Sequence, residues 1–156
     1  MQLDYSRIET QLVEQLPELR PAVERYWQAE GAPGKDAGPY ILFEDIFRPY
    51  VDMLVAQPPG ETRDRLLRRA FDFTEACLRS GGELHDLAAI AVFEDQSKSW
   101  FTLAEPFMGI QSLHEAHKFE WPAANKTVSD SGPDLYRVHD LVGALLSTRS
   151  SPHGAT

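Results

Sequence analysis

Apolar residues in this chain recur every three or four positions over most of its length, and no segment alternates apolar and polar residues for long enough to form a confident strand. Examples are Tyr5, Ile8 and Leu12 near the start and Leu87 and Ile90 further on, all predicted to line buried faces. Each such stripe is one face of an amphipathic helix, which has to be buried against other helices. The spacing therefore predicts an all-α fold, either a helical bundle or a short stack of antiparallel helical hairpins of the HEAT or armadillo kind.

Proline and glycine mark where the helices begin, bend and end. Helices are predicted over residues 4–16, 17–27, 40–56, 61–79, 83–93 and 106–118. Pro49 lies inside the third of these, and because its ring clashes with the preceding turn, a kink or break is expected near Arg48. Gly81 and Gly82 match the left-handed conformation in which helices often end. Pro106 is expected to start the last helix of the series.

The domain organisation follows from where the apolar stripes stop. The prediction is a single helical domain, a flexible linker, a candidate docking helix and a disordered tail, over residues 1–120, 121–133, 134–147 and 148–156 respectively. The sequence leaves open whether the candidate docking helix packs on its own domain or on another chain. It also leaves the oligomeric state open.

The composition excludes several classes of partner. The 156 residues include 24 Asp and Glu against 15 Lys and Arg, which gives a net charge of −9 at pH 7. Nucleic-acid phosphates are bound by clustered Lys and Arg, so this balance argues against a nucleic-acid partner. No apolar run approaches the roughly 20 residues that span a bilayer, and the N-terminus has no signal-peptide pattern. We therefore expect a cytoplasmic protein without a membrane segment, in which the single cysteine, Cys77, is a buried apolar residue.

The acidic residues are concentrated on two predicted helices and on the polar connector of residues 94–99. If the helices pack side by side, these residues form one negative surface that attracts a basic partner; the alternative is a solvated face that only keeps the protein soluble. The residues predicted to contact a partner are Glu44, Asp45, Asp52, Glu83, Asp86, Glu94, Asp95 and Trp100. Trp100 is either an exposed aromatic within such an interface or a buried anchor for the connector.

The helix predicted over residues 61–79 is basic by contrast. Its arginines are Arg63, Arg65, Arg68, Arg69 and Arg79. A phosphate or nucleic-acid site is one interpretation of this cluster. The other is ordinary ion pairing along the helix, because Arg68 and Arg69 are three or four residues from Asp64 and Asp72.

No group of residues carries the signature of an enzyme or of a metal site. His114 and His117 are three positions apart, whereas the zinc-protease helix spaces its histidines by four with a glutamate as base. The sequence also lacks a Gly-x-Ser-x-Gly turn and a glycine-rich phosphate loop. We therefore predict no catalytic residue, metal ligand or cofactor. The competing hypothesis, a metal or acid–base site at His114 and His117, needs Glu105 or Glu115 beside them.

Four segments carry a resemblance to a known family. They are ILFEDIF at residues 41–47, LLRRAFDFTEA at 66–76, DLAAIAVFED at 86–95 and EPFMG at 105–109. In this order they resemble a family of small acidic all-helical bacterial proteins of unassigned function. Such proteins are similar in size, acidity and helical build to the immunity proteins encoded beside bacterial polymorphic toxins. The resemblance implies a non-enzymatic protein that binds and neutralises a cognate toxin; the alternative is a helical adaptor or scaffold with an endogenous bacterial partner.

Overall fold

A computed structural model of the chain describes residues 2–28, 38–123 and 142–146. Every regular element in these ranges is helical, which confirms the predicted all-α class. The helices are α1 (Ile8–Gln15), α2 (Arg20–Gln28), α3 (Gly38–Leu42, Phe43–Phe47 and Arg48–Ala56 in succession), α4 (Glu61–Ser80), α5 (Gly82–Ala88 followed by Ala89–Phe93), α6 (Lys98–Ala104), α7 (Ile110–Ala123) and α8 (residues 142–146). Short 3-10 turns lie at Tyr5–Arg7, Pro17–Leu19 and Glu105–Phe107. None of these helices combines the length and the apolarity that a bilayer span requires.

Helix α3 contains the irregularity predicted near Arg48. Residues 43–47 form a π-helical turn, in which the Arg48 N–H donates to the carbonyl of Phe43, five residues earlier. Pro49 follows directly; it has no N–H to offer the preceding turn, and its ring would clash with a carbonyl of a regular α-helix. The wider π turn makes room for the proline without ending the helix. The irregularity is therefore a widened turn, and α3 continues through it to Ala56.

Two tight connections set the directions of the three central helices. Residues 57–60 join α3 to α4, and Gly81 alone joins α4 to α5. Each pair is therefore antiparallel, so α3 and α5 run parallel to each other against α4. Gly81 has φ 72° and ψ −178°, and Gly82 has φ 54°. The positive φ values confirm that α4 ends at glycine, although the ψ of Gly81 lies outside the left-handed helical region, and they allow a turn this short.

Replacing Gly81 with alanine should destabilise the protein by about 1–3 kcal/mol, because its φ and ψ lie in a region that is essentially restricted to glycine. Open space surrounds the position where the new methyl group would lie, so the cost comes from the backbone and not from a clash. Urea unfolding followed by circular dichroism measures the change. Ser80→Ala, an exposed change in the adjacent residue, is the control and should shift the midpoint little. Equal midpoints for the two variants would contradict the conformation assigned to Gly81.

Aromatic side chains of α3, α4 and α6 fill much of the core. Phe43 and Phe47 of α3 pack with ring centroids 5.2 Å apart, and Phe47 lies 5.7 Å from Phe73 of α4. Trp100 of α6 packs edge-on against Phe101 at 5.3 Å. Both clusters use the near-perpendicular ring geometry that aromatic pairs favour. The first cluster therefore ties α3 to α4, and Trp100 ties α6 to α4 and α5 through contacts with Phe71 and Phe93 at 6.2 Å.

Cys77 is fully buried in α4, which confirms its prediction as an apolar core residue. Burial raises the pKa of its thiol to about 12. A thiol with this pKa is almost entirely protonated at neutral pH and is therefore a poor nucleophile.

Charged side chains join α4 to other helices. Arg69 lies 3.2 Å from Glu18 through Nη1 and donates through Nη2 to the carbonyl of Gln15 at 2.6 Å. The Tyr50 hydroxyl of α3 donates to the same Glu18 carboxylate at 2.8 Å. Arg69 thus contacts the corner between α1 and α2. The ion-pairing interpretation placed its partner on its own helix instead. This corner is held on α3 and α4 by charge-assisted hydrogen bonds.

Arg63 is buried and closes the end of α3. Its Nε donates to the carbonyl of Leu54 at 3.0 Å, its Nη2 to the carbonyl of Val55 at 3.2 Å, and its Nη1 to Asp64 at 2.8 Å. The last carbonyls of a helix have no partner within it, so this guanidinium supplies one from the next helix. Arg63 is therefore a helix cap, which leaves it unsuited to bind a phosphate.

The chain between α5 and α7 differs from the prediction. Helix α6 begins inside the predicted connector, where Ser97 caps it by accepting the N–H of Trp100 at 3.1 Å. Pro106 starts only a 3-10 turn, and α7 begins at Ile110. The prediction that one helix runs from Pro106 is therefore wrong.

The start of α7 is fixed by Glu75 of α4. This buried carboxylate accepts the N–H of Gln111 at 3.0 Å and both the N–H and the hydroxyl of Ser112 at 2.9 Å. It supplies from another helix the capping bonds that a helix start needs. A side chain at Gly109 would place its Cβ 2.5 Å from the Cδ of Glu75, so glycine allows the chain to pass this close. Contacts from outside the segment, which local sequence does not reveal, thus decide where α7 begins.

Residues 142–146 belong to the predicted docking helix. Val142 is fully buried, and Leu145 and Leu146 pack partly buried against the same core. Leu146 also lines an open cavity beside Gln57 and Arg63. The rest of the predicted docking helix, the predicted linker beyond Ala123 and the predicted tail lie outside the described residues.

Candidate protein-binding surface

The exposed stripe of α5 and its C-cap residue, Glu94, carry three of the predicted contact residues. Glu83, Asp86, Ile90 and Glu94 follow one another at steps of three or four residues, and all four are exposed. Leu87, between them in sequence, is fully buried. Ile90 was predicted to be buried as well, but it is 37% exposed in the middle of the acidic stripe. The three-residue spacing of Glu83 and Asp86 is the signal in the sequence that marks this side of the helix as the solvent side.

Helix α3, next to α5, carries two more of the predicted contact residues. Glu44 is exposed and Asp45 is half-buried on the π turn. The two helices are neighbours, because Arg48 of α3 donates through Nη2 to the carbonyl of Glu94 at 2.8 Å. Near the start of α5, Asp86 is close to Tyr40 of α3. Burial raises the pKa of this tyrosine, and the charge of Asp86 raises it further. Helices α3 and α5 are therefore neighbours, and each carries carboxylates that are exposed or half-buried.

The turn after α5 adds a further carboxylate. Glu94 and Asp95 are exposed, and Asp95 has φ 62°. Aspartate adopts this left-handed conformation more readily than most residues other than glycine. The next residue, Gln96, is buried and donates to the carbonyl of Val92 at 3.0 Å and to Asp52 Oδ1 at 2.8 Å. Gln96 thus fixes the turn through its bonds to Val92 and Asp52, while the carboxylates of Glu94 and Asp95 remain at the surface.

We call this combined surface the acidic face. It consists of Glu44, Asp45, Glu83, Asp86, Glu94 and Asp95. Six of the eight residues predicted to contact a partner thus lie on two neighbouring helices and the turn after α5, where five are exposed and Asp45 is half-buried. The other two, Asp52 and Trp100, have a different role.

Asp52 of α3 and Trp100 of α6 form a hydrogen-bonded pair. The indole Nε1–H of Trp100 donates to Asp52 Oδ1 at 2.8 Å, and Arg48 Nε lies 3.6 Å from Asp52 Oδ2. Burial raises the pKa of Asp52, while the bonds from Gln96 and Trp100 and the charge of Arg48 oppose the rise without cancelling it. Trp100 is only 7% exposed. The interpretation of Trp100 as an exposed interface residue is therefore wrong. Its ring is a buried anchor for the connector and α6.

Trp100→Phe should lower the free energy of unfolding by about 2 kcal/mol, because it removes the bond to Asp52 and leaves a small cavity. Chemical denaturation measures the loss. Trp27→Phe is the matched control: Trp27 is 37% exposed on α2, so its replacement should cost less than about 0.5 kcal/mol. Equal costs for the two replacements would contradict the anchoring role.

A buried carboxylate, Glu115 of α7, contacts His85 of α5. Its Oε1 accepts from His85 Nε2 at 3.0 Å and from Lys118 Nζ at 2.7 Å. Burial raises the pKa of Glu115, but the hydrogen bonds and charges of Lys118 and His85 lower it by more, so the carboxylate is ionised at neutral pH. His85 Nδ1 also lies 3.3 Å from the exposed Asp86. This chain of contacts links α7 to the acidic face.

The two histidines considered for a metal site do not converge. His114 is exposed and lies 3.6 Å from Glu115 through Nδ1, while His117 lines a small cavity with Glu105 and Phe101. Within the parts of the chain that the structure describes, no three His, Cys, Asp or Glu side chains are arranged to hold a metal ion. In the basic cluster of α4, Arg63 and Arg68 both lie over the ring of Phe107, while Arg69 pairs with Glu18 and Arg79 with Glu75.

No protein-family model, no curated protein and no solved structure matches this chain. The acidic face and the resemblance in the sequence are therefore the two features that bear on function.

Proposed function

We propose that this protein is a non-enzymatic, cytoplasmic immunity protein that binds a cognate bacterial toxin through its acidic face. The observation that supports the proposal is that exposed carboxylates lie on two neighbouring helices and on the turn after the second, on a chain whose net charge is −9. Because these charges lie on one area of the surface, their potentials add toward an approaching partner. No cofactor or metal takes part in this mechanism.

The proposed partner is a basic toxin domain, and the proposed mechanism is occlusion of its active site. Toxins that act on nucleic acids or nucleotides bind phosphates, so basic residues surround their active sites. A matching acidic surface speeds the encounter and discriminates against partners of the wrong charge. The exposed Ile90 supplies an apolar contact among the carboxylates, as interfaces commonly do at their centres. Substrate would then be excluded without any chemistry by the immunity protein.

Co-expression tests this function. The C-terminal domain of a large protein encoded beside the gene is produced alone in a laboratory bacterium, where it should arrest growth. Co-expression of this protein should restore growth, and a variant with Glu83→Lys and Glu94→Lys should fail to do so at equal protein level. Arrest that wild type cannot relieve would contradict the immunity function. A neighbourhood without such a gene would favour the adaptor alternative.

A further inference from the structure

We draw no further inference here: the strongest candidate, the exposed apolar side chains Leu103 and Ile110 on either side of the 3-10 turn between α6 and α7, carries nothing because no feature of the described residues shows what covers it.

Discussion

Glu75→Ala should lower the free energy of unfolding by about 3 kcal/mol. The substitution removes the acceptor for two backbone N–H groups and one hydroxyl at the start of α7 and leaves them without a partner in a largely buried position. A lost helix cap costs about 1 kcal/mol, and each unsatisfied buried polar group about 1–3 kcal/mol. Urea unfolding measures the total loss in the free energy of unfolding. Amide hydrogen exchange should locate the weakening at Gln111 and Ser112.

Arg79→Ala is the control for this substitution. Arg79 lies 3.2 Å from Glu75, but its side chain is 66% exposed, so its loss should change stability by less than about 1 kcal/mol. If the two variants unfold at the same urea concentration, the carboxylate is not capping α7.

The same carboxylate should make stability depend on pH. Burial raises the pKa of Glu75, but the bonds from Gln111 and Ser112 and the charge of Arg79 lower it by more, so it lies below its ordinary value of 4.5. Its contribution is therefore fully present above about pH 4.5 and is lost as the pH falls through the lowered value of the folded protein. Wild type should lose more stability on acidification than Glu75→Gln. Parallel curves would contradict this assignment.

Reversing two charges on the acidic face should weaken binding to the toxin by roughly 100-fold or more, which corresponds to about 2.7 kcal/mol. The variant is Glu83→Lys with Glu94→Lys, one residue at each end of the exposed stripe of α5. Both side chains are exposed, so the fold should survive the change. In contact with a basic partner, the two new lysines replace attraction with repulsion. Isothermal titration calorimetry measures the loss, and circular dichroism checks the fold.

Glu14→Lys with Glu24→Lys is the matched control. Both residues are exposed, on α1 and α2, and lie outside the acidic face. The control changes the net charge by the same amount, so any loss from weaker long-range attraction is common to both variants. The control should bind within a few-fold of wild type. Equal weakening by the two pairs would show that overall charge, and not this face, determines affinity.

The sequence predicts the helices of this fold well where local signals decide them. The period of the apolar residues locates α1 to α5, and the glycines at positions 81 and 82 locate the turn between α4 and α5. Pro49 marks the position of the π turn. The steric clash of its ring alone does not determine whether the helix breaks or widens there. The start of α7 was mispredicted because its cap, Glu75, is distant in sequence.

For the acidic face, too, local signals are predictable from the sequence and contacts between distant residues are not. The acids of α5 are predictable, because their spacing marks a solvent side. The pairing of Trp100 with Asp52, 48 residues apart, is set by packing, so sequence alone left both interpretations of the tryptophan open. Ile90 was misassigned because apolar residues surround it in sequence and only tertiary packing shows which of them the core leaves exposed.

The most direct test of the central claim is a pull-down from the native bacterium in moderate salt, with wild type, the Glu83→Lys/Glu94→Lys variant and the Glu14→Lys/Glu24→Lys control as baits. Mass spectrometry identifies what each retains. The account predicts that wild type and the control retain a basic toxin fragment encoded next to the gene, and that the acidic-face variant does not. Retention of the same partner by all three baits, or recovery of only an endogenous housekeeping complex, would contradict it.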